Sequence, residues 1–292
     1  MQEIFPSYYH KFICIADKCK HSCCIGWEID IDEDTMEIYK SLEGELGERI
    51  RNNIEGETLH FVLKNERCPF LNDKGLCDII TELGEDGLCD ICYLHPRFQN
   101  EYTNGIETGI GLCCEEVARI ILSETNKTRI EKIEKATEEE KCFFAERDEV
   151  FSILQNRDIS IRERFDTLAE KYGLSFDFDL KKVAEKYITL QRLDEMWTKE
   201  LQNIKMYDFK GDIFKDKDLE IMLEQLAVYF VFRNFKGEKN EIYFVLISCY
   251  LIGAMWEKYN KDFEKITDIA RMYSAEVEYC IENTEKIKED VI

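Results

Sequence analysis

Four cysteines fall within one short stretch, Cys68 to Phe98, which reads CPFLNDKGLCDIITELGEDGLCDICYLHPRF. A second stretch, CIADKCKHSCCIGW, covers residues 14–27, and two further cysteines stand side by side at Cys113 and Cys114. Ten of the thirteen cysteines therefore lie in the first 114 residues. Because thiolates hold iron–sulfur clusters and are common zinc ligands, this pattern predicts a metal centre.

The spacing of these cysteines indicates a metal without identifying it. Cys89 and Cys92 are separated by two residues, which lets both sulfurs reach one metal, and Cys68 with Cys77 supplies a second pair. Zinc and iron–sulfur clusters both accept such thiolates, so both stay open at this point.

Adjacent cysteines point in different directions from the backbone, so Cys23 and Cys24 are not expected to bind the same atom. Either two sites exist or one of the pair is spare. The motif C-x3-C-x2-C of the common radical S-adenosylmethionine enzymes is absent, because Cys19-x3-Cys23 is followed by Gly26 at the third position.

His95 and Arg97 follow closely after Cys92 and are the candidate catalytic residues, because they could orient a substrate or donate to cluster sulfurs. The alternative for Arg97 is an ordinary ion pair with one of the 61 acidic residues. The glycine-containing run at residues 104–112 does not read as G-x-G-x-x-G after a strand, so a turn or a packing role is expected there. The three later cysteines, which lie on helical stripes, are interpreted as small buried hydrophobic residues: Cys142, Cys249 and Cys280.

The composition limits the partners of this chain. A net charge of −22 and a pI near 4.7 argue against nucleic-acid binding and suit basic or lysine-bearing partners, although acidity also serves solubility alone. The first twenty residues lack a secretory signal, so a cytoplasmic location is predicted, where cysteines favour metals over disulfides. The apolar run from Ile242 to Trp256 is shorter than the ~20 residues of a membrane span and predicts a buried helix, with no membrane role.

The predicted fold is mainly α, with a cysteine-rich metal-binding region of short irregular elements at residues 1–124 and a helical bundle at residues 125–292. An early helix capped by Thr35 and a weak strand at 59–64 belong to the first region. In the second region, capping boxes at Thr137 and Ser160 start helices, and Gly173 suits a helix end. The predicted helices of the bundle are 138–155, 161–172, 179–205, 218–235, 239–259 and 262–287.

Five segments of the sequence resemble the flagellin lysine N-methylases. They are FICIADKCKHSCCIGWEIDIDEDT, CPFLNDKGLCDI, LCDICYLHPRF, GLCCEEVAR and YSAEVEYCIEN, which together reach from Phe12 to Asn283. The cysteine part is also similar to the broader zinc- or iron-chelating cysteine-cluster domains. The last segment favours the methylase over that broader group.

The resemblance implies methyl transfer from S-adenosylmethionine to surface lysines of flagellin, with a [4Fe–4S] cluster held by cysteines and Zn²⁺ as the alternative. Cys113 departs from the family pattern of a single cysteine, which makes Cys114 the better ligand candidate. The predicted metal ligands are nine cysteines: Cys14, Cys19, Cys23, Cys24, Cys68, Cys77, Cys89, Cys92 and Cys114.

Lysine methylation requires a neutral amine, because an ammonium group has no lone pair, so the site must desolvate the lysine or supply a base. The sequence identifies neither that base nor the choice between a polar and a radical route. Two other functions stay open: a metal-carrying or redox module that docks a partner, and a zinc-stabilised scaffold without methyl chemistry.

Overall fold

The computed structural model describes residues 1–208 and 213–291. The chain is mainly helical, as predicted, with 56% of its residues in helices. Its contacts form two compact units. We call Ile13–Arg97 the cysteine unit, and Met1–Phe12 together with Phe98–Ile292 the helical unit. This division differs from the predicted boundary after residue 124, because residues 1–12 and 98–124 pack with the later helices.

Both units contain helices and short strands within the described ranges. The helices of the cysteine unit are α1 (Glu33–Ser41), α2 (Gly44–Arg51), α3 (Asp78–Leu83) and α4 (Asp90–Leu94). Those of the helical unit are α5 (Glu115–Ser123), α6 (Glu138–Leu154), α7 (Ile161–Lys171), α8 (Leu180–Ile188), α9 (Glu195–Lys205), α10 (Lys217–Asn234), α11 (Lys239–Lys258), α12 (Phe263–Tyr273) and α13 (Ile281–Lys288). The strands are β1 (Gln2–Ile4), β2 (Ile54–Glu55), β3 (His60–Phe61), β4 (Arg97–Tyr102) and β5 (Gly105–Ile110).

Helices α10 and α11 form the centre of the helical unit. Buried apolar residues lie on every face of α10 and α11, so each helix is buried on all sides rather than along one apolar stripe. This confirms the buried helix predicted at residues 242–256. No helix in the described ranges is long and apolar enough to cross a bilayer.

Both predicted capping boxes are present. The Glu140 amide donates to the Thr137 hydroxyl at 3.2 Å, and the Glu140 carboxylate accepts the Thr137 amide at 2.7 Å. Ser160 begins α7 through the same exchange. Gly173 follows α7 with a φ of +67°, the left-handed conformation that a glycine adopts easily.

Two predicted helices are each interrupted, so the single helices expected at 179–205 and 262–287 were wrong. The first is divided into α8 and α9, and the second contains a π-helical turn, Ser274–Glu278, between α12 and α13. The two interruptions meet, because the Glu276 carboxylate of the π turn accepts the amides of Leu193 and Asp194 at 2.9 and 2.5 Å. Tertiary contacts thus compensate for the lost helical hydrogen bonds.

The early part of the chain also departs from prediction. Asp32, not Thr35, caps α1, and Thr35 is a buried residue of its first turn. The strand expected at 59–64 is reduced to β3, which pairs with β2. The glycine-containing run at 104–112 forms β5, where Gly109 has a packing role, since a β-carbon there would lie 2.2 Å from the Phe98 ring.

A buried ion pair attaches β5 to α6. The Arg147 guanidinium donates two hydrogen bonds to the Glu107 carboxylate, one of them at 2.7 Å, and both side chains are at most 5% exposed. Tyr102 donates to the same carboxylate at 3.1 Å. Cys113 and Cys114 follow shortly after β5. The Glu107–Arg147 ion pair therefore fixes the segment of chain that leads to both cysteines.

We expect Arg147→Met to destabilise the protein by about 3–5 kcal/mol, because it leaves the Glu107 carboxylate buried without its cation. The double variant Glu107→Met with Arg147→Met should recover most of that loss. Urea unfolding followed by circular dichroism would measure both. Equal destabilisation of the single and double variants would show that packing, rather than the unpaired charge, sets the cost.

Candidate metal centre

The cysteine unit has a small core in which thiols are core members. Tyr39, Phe61 and Phe70 are its largest buried side chains, and Cys68 and Cys89 are buried among them. Cys24, Cys77 and Cys92 are half-buried and pack against this core. Two of the three predicted cysteine-rich stretches therefore meet in one small unit.

A backbone ladder aligns Cys24 with Cys68. The Cys68 amide donates to the Cys24 carbonyl at 2.9 Å, and the Gly26 amide donates to Glu66 at 2.7 Å. Gly26 has a φ of +79°, which lets the chain turn directly after the cysteine pair. The ladder brings the first cysteine-rich stretch against the start of the second.

A tight turn places Cys77. The Asn72 side-chain oxygen accepts the amides of Lys74 and Leu76 at 2.9 and 3.0 Å, and Asn72 also donates to Asp78 at 2.8 Å. The turn folds the chain back so that the Asp78 amide reaches the Phe70 carbonyl at 2.8 Å. Cys77, at the start of α3, consequently lies beside the segment that carries Cys68.

Six thiols of the cysteine unit interact with one another. The pKa of Cys68 is raised to about 12, mainly by burial, with smaller contributions from the neighbouring Cys24 and Cys77 thiols. A hydrogen bond with Cys89 raises the pKa of Cys92, as do burial and the charges of Cys89, Cys24 and Cys23. A hydrogen bond from Cys23 lowers the pKa of Cys24 to about 7. These effects link the six sulfurs in pairs: Cys24 acts on Cys68, Cys77 and Cys92, and Cys89 and Cys92 share a hydrogen bond.

Backbone amides are also near several of these sulfurs. The N–H groups of Phe70 and Leu71 lower the pKa of Cys68 against the larger effect of burial, and those of Ile79 and Ile80 act likewise on Cys77. Amides directed at sulfur stabilise the thiolate form, which is the form that binds metals. The donor set therefore has the chemistry that zinc or an iron–sulfur cluster requires.

The other three predicted ligands differ in burial and in their position along the chain. Cys14 is exposed and Cys19 half-buried in the cysteine unit, whereas Cys114 belongs to the helical unit and precedes α5. Among residues 1–208 and 213–291, no three His, Cys, Asp or Glu side chains are placed closely enough to hold a metal ion. The metal and its ligands accordingly stay predictions.

The candidate catalytic pair lies at the end of the cysteine unit. His95 is half-buried, and burial lowers its pKa to about 4, with a smaller effect from the Arg97 charge. Arg97 donates to the Tyr93 carbonyl at 3.3 Å. A neutral imidazole at neutral pH can accept or donate a proton, and the catalytic role of both residues stays a prediction.

The three cysteines interpreted as buried hydrophobic residues behave differently from one another. Cys249 is fully buried, as predicted. Cys142 is exposed, so that interpretation was wrong for it, because its position on α6 faces away from the core. Cys280 is half-buried, and its thiol donates to the Gln191 side chain at 3.6 Å.

Sequence reasoning missed Asp32 and Tyr39. Asp32 accepts the Asp90 amide at 2.9 Å, next to Cys89, and Tyr39 donates to the Gly87 carbonyl at 2.8 Å on the other side of that cysteine. The pKa of Tyr39 is raised mainly by burial and, to a smaller extent, by the charges of Cys89, Cys92 and Cys77. The one sequence signal for this contact with Asp90 was that Asp32 lies in EIDIDEDT, the end of the first segment that resembles the lysine N-methylases.

Comparison with known proteins points to the lysine N-methylases as a class. No protein-family model matches the chain, and no solved structure matches it. The lysine-N-methylases of Salmonella typhimurium (strain LT2) and Salmonella choleraesuis (strain SC-B67) are each 27% identical to it over 128 residues. That region is 41% of this chain and 32% of each relative, so the chain spans about a third of their length.

The chain also matches a larger share of another relative, the flagellar biosynthetic protein FliU of Salmonella muenchen. It is 27% identical over 128 residues, which cover 41% of this chain and 76% of FliU. The resemblance to the flagellin lysine N-methylases that the sequence motifs indicated is thus confirmed by curated relatives.

We expect Cys89→Ser and Cys92→Ser to lose bound metal and solubility together, because each removes a thiol from the group of six. Cys280→Ser, which removes a thiol that donates to Gln191 in the helical unit, should keep the metal. Metal content per protein, measured after anaerobic purification, would test this. Equal content in all three variants would contradict the ligand assignment.

Proposed function

We propose that this chain is a protein-lysine N-methyltransferase whose cysteine unit binds a metal centre. The proposal depends above all on one observation, the six interacting thiols between Ile13 and Arg97. The names of the relatives support the methyltransferase class. Because the match covers only part of each chain, activity, substrate and partners remain part of the proposal.

A [4Fe–4S] cluster is the proposed metal centre, and Zn²⁺ is the alternative. Four of five thiols would hold it, because five members of the group are half-buried or buried: Cys24, Cys68, Cys77, Cys89 and Cys92. Such a centre would supply either folding energy alone or, as a cluster, redox capacity. The chain contributes apolar surroundings and backbone amides that stabilise thiolates.

The proposed reaction moves a methyl group from S-adenosylmethionine to a lysine ε-amine. The bond between the methyl carbon and the sulfonium sulfur breaks, a bond to the amine nitrogen forms, and S-adenosylhomocysteine leaves. The proton of the ammonium group passes to a base or to solvent before attack, since only the neutral amine has a lone pair. The strong negative charge of the chain would attract a cationic lysine side chain.

Flagellin is the proposed substrate, because FliU carries the name of a flagellar biosynthetic protein. The second candidate function is a zinc-stabilised scaffold or metal carrier. It is favoured by the position of the thiols, which are part of the core of a small unit and could be purely structural.

The metal can be identified by spectroscopy. We expect anaerobically purified protein to be coloured, with a broad absorbance at about 400 nm from iron–sulfur charge transfer. Elemental analysis should find iron and sulfide in proportion to protein. Colourless protein with stoichiometric zinc would remove the iron–sulfur proposal and favour the scaffold.

Methyl transfer is the decisive assay for the enzyme. Protein with its full metal content should transfer label from S-adenosylmethionine to lysines of flagellin from the same organism, and Cys89→Ser should lose this activity. Flagellin with its surface lysines changed to arginine is the matched control substrate. If the metal-loaded protein transfers no label to flagellin, the carrier or scaffold becomes the better explanation.

A further inference from the structure

The short helix α4 receives its N-terminal hydrogen-bond partner from outside itself. Cys89 is the residue that precedes α4, the position where a side chain normally accepts an amide of the first turn. Such a side chain accepts the amide of the second or third helical residue and leaves the first amide open. In α4 that first amide, from Asp90, donates to the Asp32 carboxylate at 2.9 Å.

The same carboxylate caps α1. One oxygen of Asp32 accepts the Thr35 amide at 2.8 Å, and the other accepts the Thr35 hydroxyl at 2.9 Å in addition to the Asp90 amide. Asp32 is only half-buried, yet these hydrogen bonds hold its pKa below the ordinary value against the opposing effect of burial. A single side chain therefore joins the first turns of two helices.

Tyr39 makes the second attachment from α1. It is fully buried, and its hydroxyl donates to the Gly87 carbonyl at 2.8 Å. Gly87 and Asp90 lie on either side of Cys89 in the chain, so α1 holds the backbone both before and after this cysteine. Helix α1 therefore fixes the backbone of Cys89 from both sides.

We propose that Asp32 and Tyr39 are positioning residues for Cys89: they hold the backbone on both sides of this cysteine and thereby direct its sulfur toward a metal. This inference rests on the proposed metal centre. A metal ligand binds well when partners that do not touch the metal fix its orientation, and α1 supplies such partners before and after Cys89. The group that the Cys89 sulfur would bind is a thiophilic metal ion or an iron–sulfur cluster.

A purely structural role would produce different results. If Asp32 and Tyr39 only stabilised the fold, their loss would expose all thiols of the cysteine unit together and would weaken metal binding no more than a comparable cap elsewhere. A positioning role predicts a selective effect on Cys89 and Cys92. The two roles can therefore be separated by following individual cysteines.

The test compares Asp32→Ala and Tyr39→Phe with matched controls in the helical unit. Asp262→Ala removes a cap of α12, where the Asp262 carboxylate accepts the Lys265 amide at 3.1 Å. Tyr172→Phe removes a hydroxyl that donates to Glu146 at 2.8 Å. Each full-length variant is titrated with Zn²⁺ against a chelator and with Co²⁺, whose absorbance reports thiolate ligation.

We expect Asp32→Ala to weaken Zn²⁺ binding about 10- to 100-fold, the usual effect of losing a partner that orients a ligand. Tyr39→Phe should weaken it in the same direction, and Asp32→Asn should recover part of the loss, because its amide oxygen can still accept one hydrogen bond. Both controls should bind Zn²⁺ as the wild type does.

A second readout needs no metal. In metal-free protein, iodoacetamide labelling followed by mass spectrometry should show Cys89 and Cys92 reacting faster in Asp32→Ala than in the wild type, with Cys68 unchanged. Equal acceleration at all three cysteines, or wild-type Zn²⁺ affinity and labelling in both variants, would overturn the inference. A wild type that binds neither metal would count against the proposed metal centre, while the labelling comparison would still decide whether Asp32 positions Cys89.

Discussion

The cysteine unit is constrained by how little apolar surface it can bury. Its core contains eleven buried residues, two of which are cysteines, and its longest helix has nine residues. In a core this small each buried side chain contributes a large share of the apolar burial. Cys68 and Cys89 are part of that core, and the surrounding turns hold them there.

Polar contacts place four of these cysteines, and the contacts differ from one part of the unit to the next. A backbone ladder aligns Cys24 with Cys68, the Asn72 turn returns the chain to Cys77, and α1 holds Cys89 from both sides. Hydrogen bonds specify direction as well as distance, whereas apolar contacts tolerate sliding. The polar contacts thus give the cysteines defined positions within a small and otherwise weakly specified core.

Most of the helical unit could be predicted from sequence, because its signals are local. The capping boxes at Thr137 and Ser160 and the apolar pattern of α11 each depend on residues a few positions apart. The interruption between α8 and α9 could not be predicted, since it is stabilised by Glu276 from far along the chain. In the candidate site, residue types indicated the metal-binding thiols, but the contribution of Asp32 depends on a fold-dependent contact with Asp90.

The π-helical turn at Ser274–Glu278 adds one residue to a helical repeat. One added residue rotates every later side chain by about 100° around the helix axis, given 3.6 residues per turn. The residues of the turn therefore have a different rotational phase from α12, and the extended backbone of Cys280 then separates the turn from α13. This phase change lets Glu276 face the Leu193 amide, and removal of one residue from the turn would redirect that carboxylate and separate α9 from its anchor.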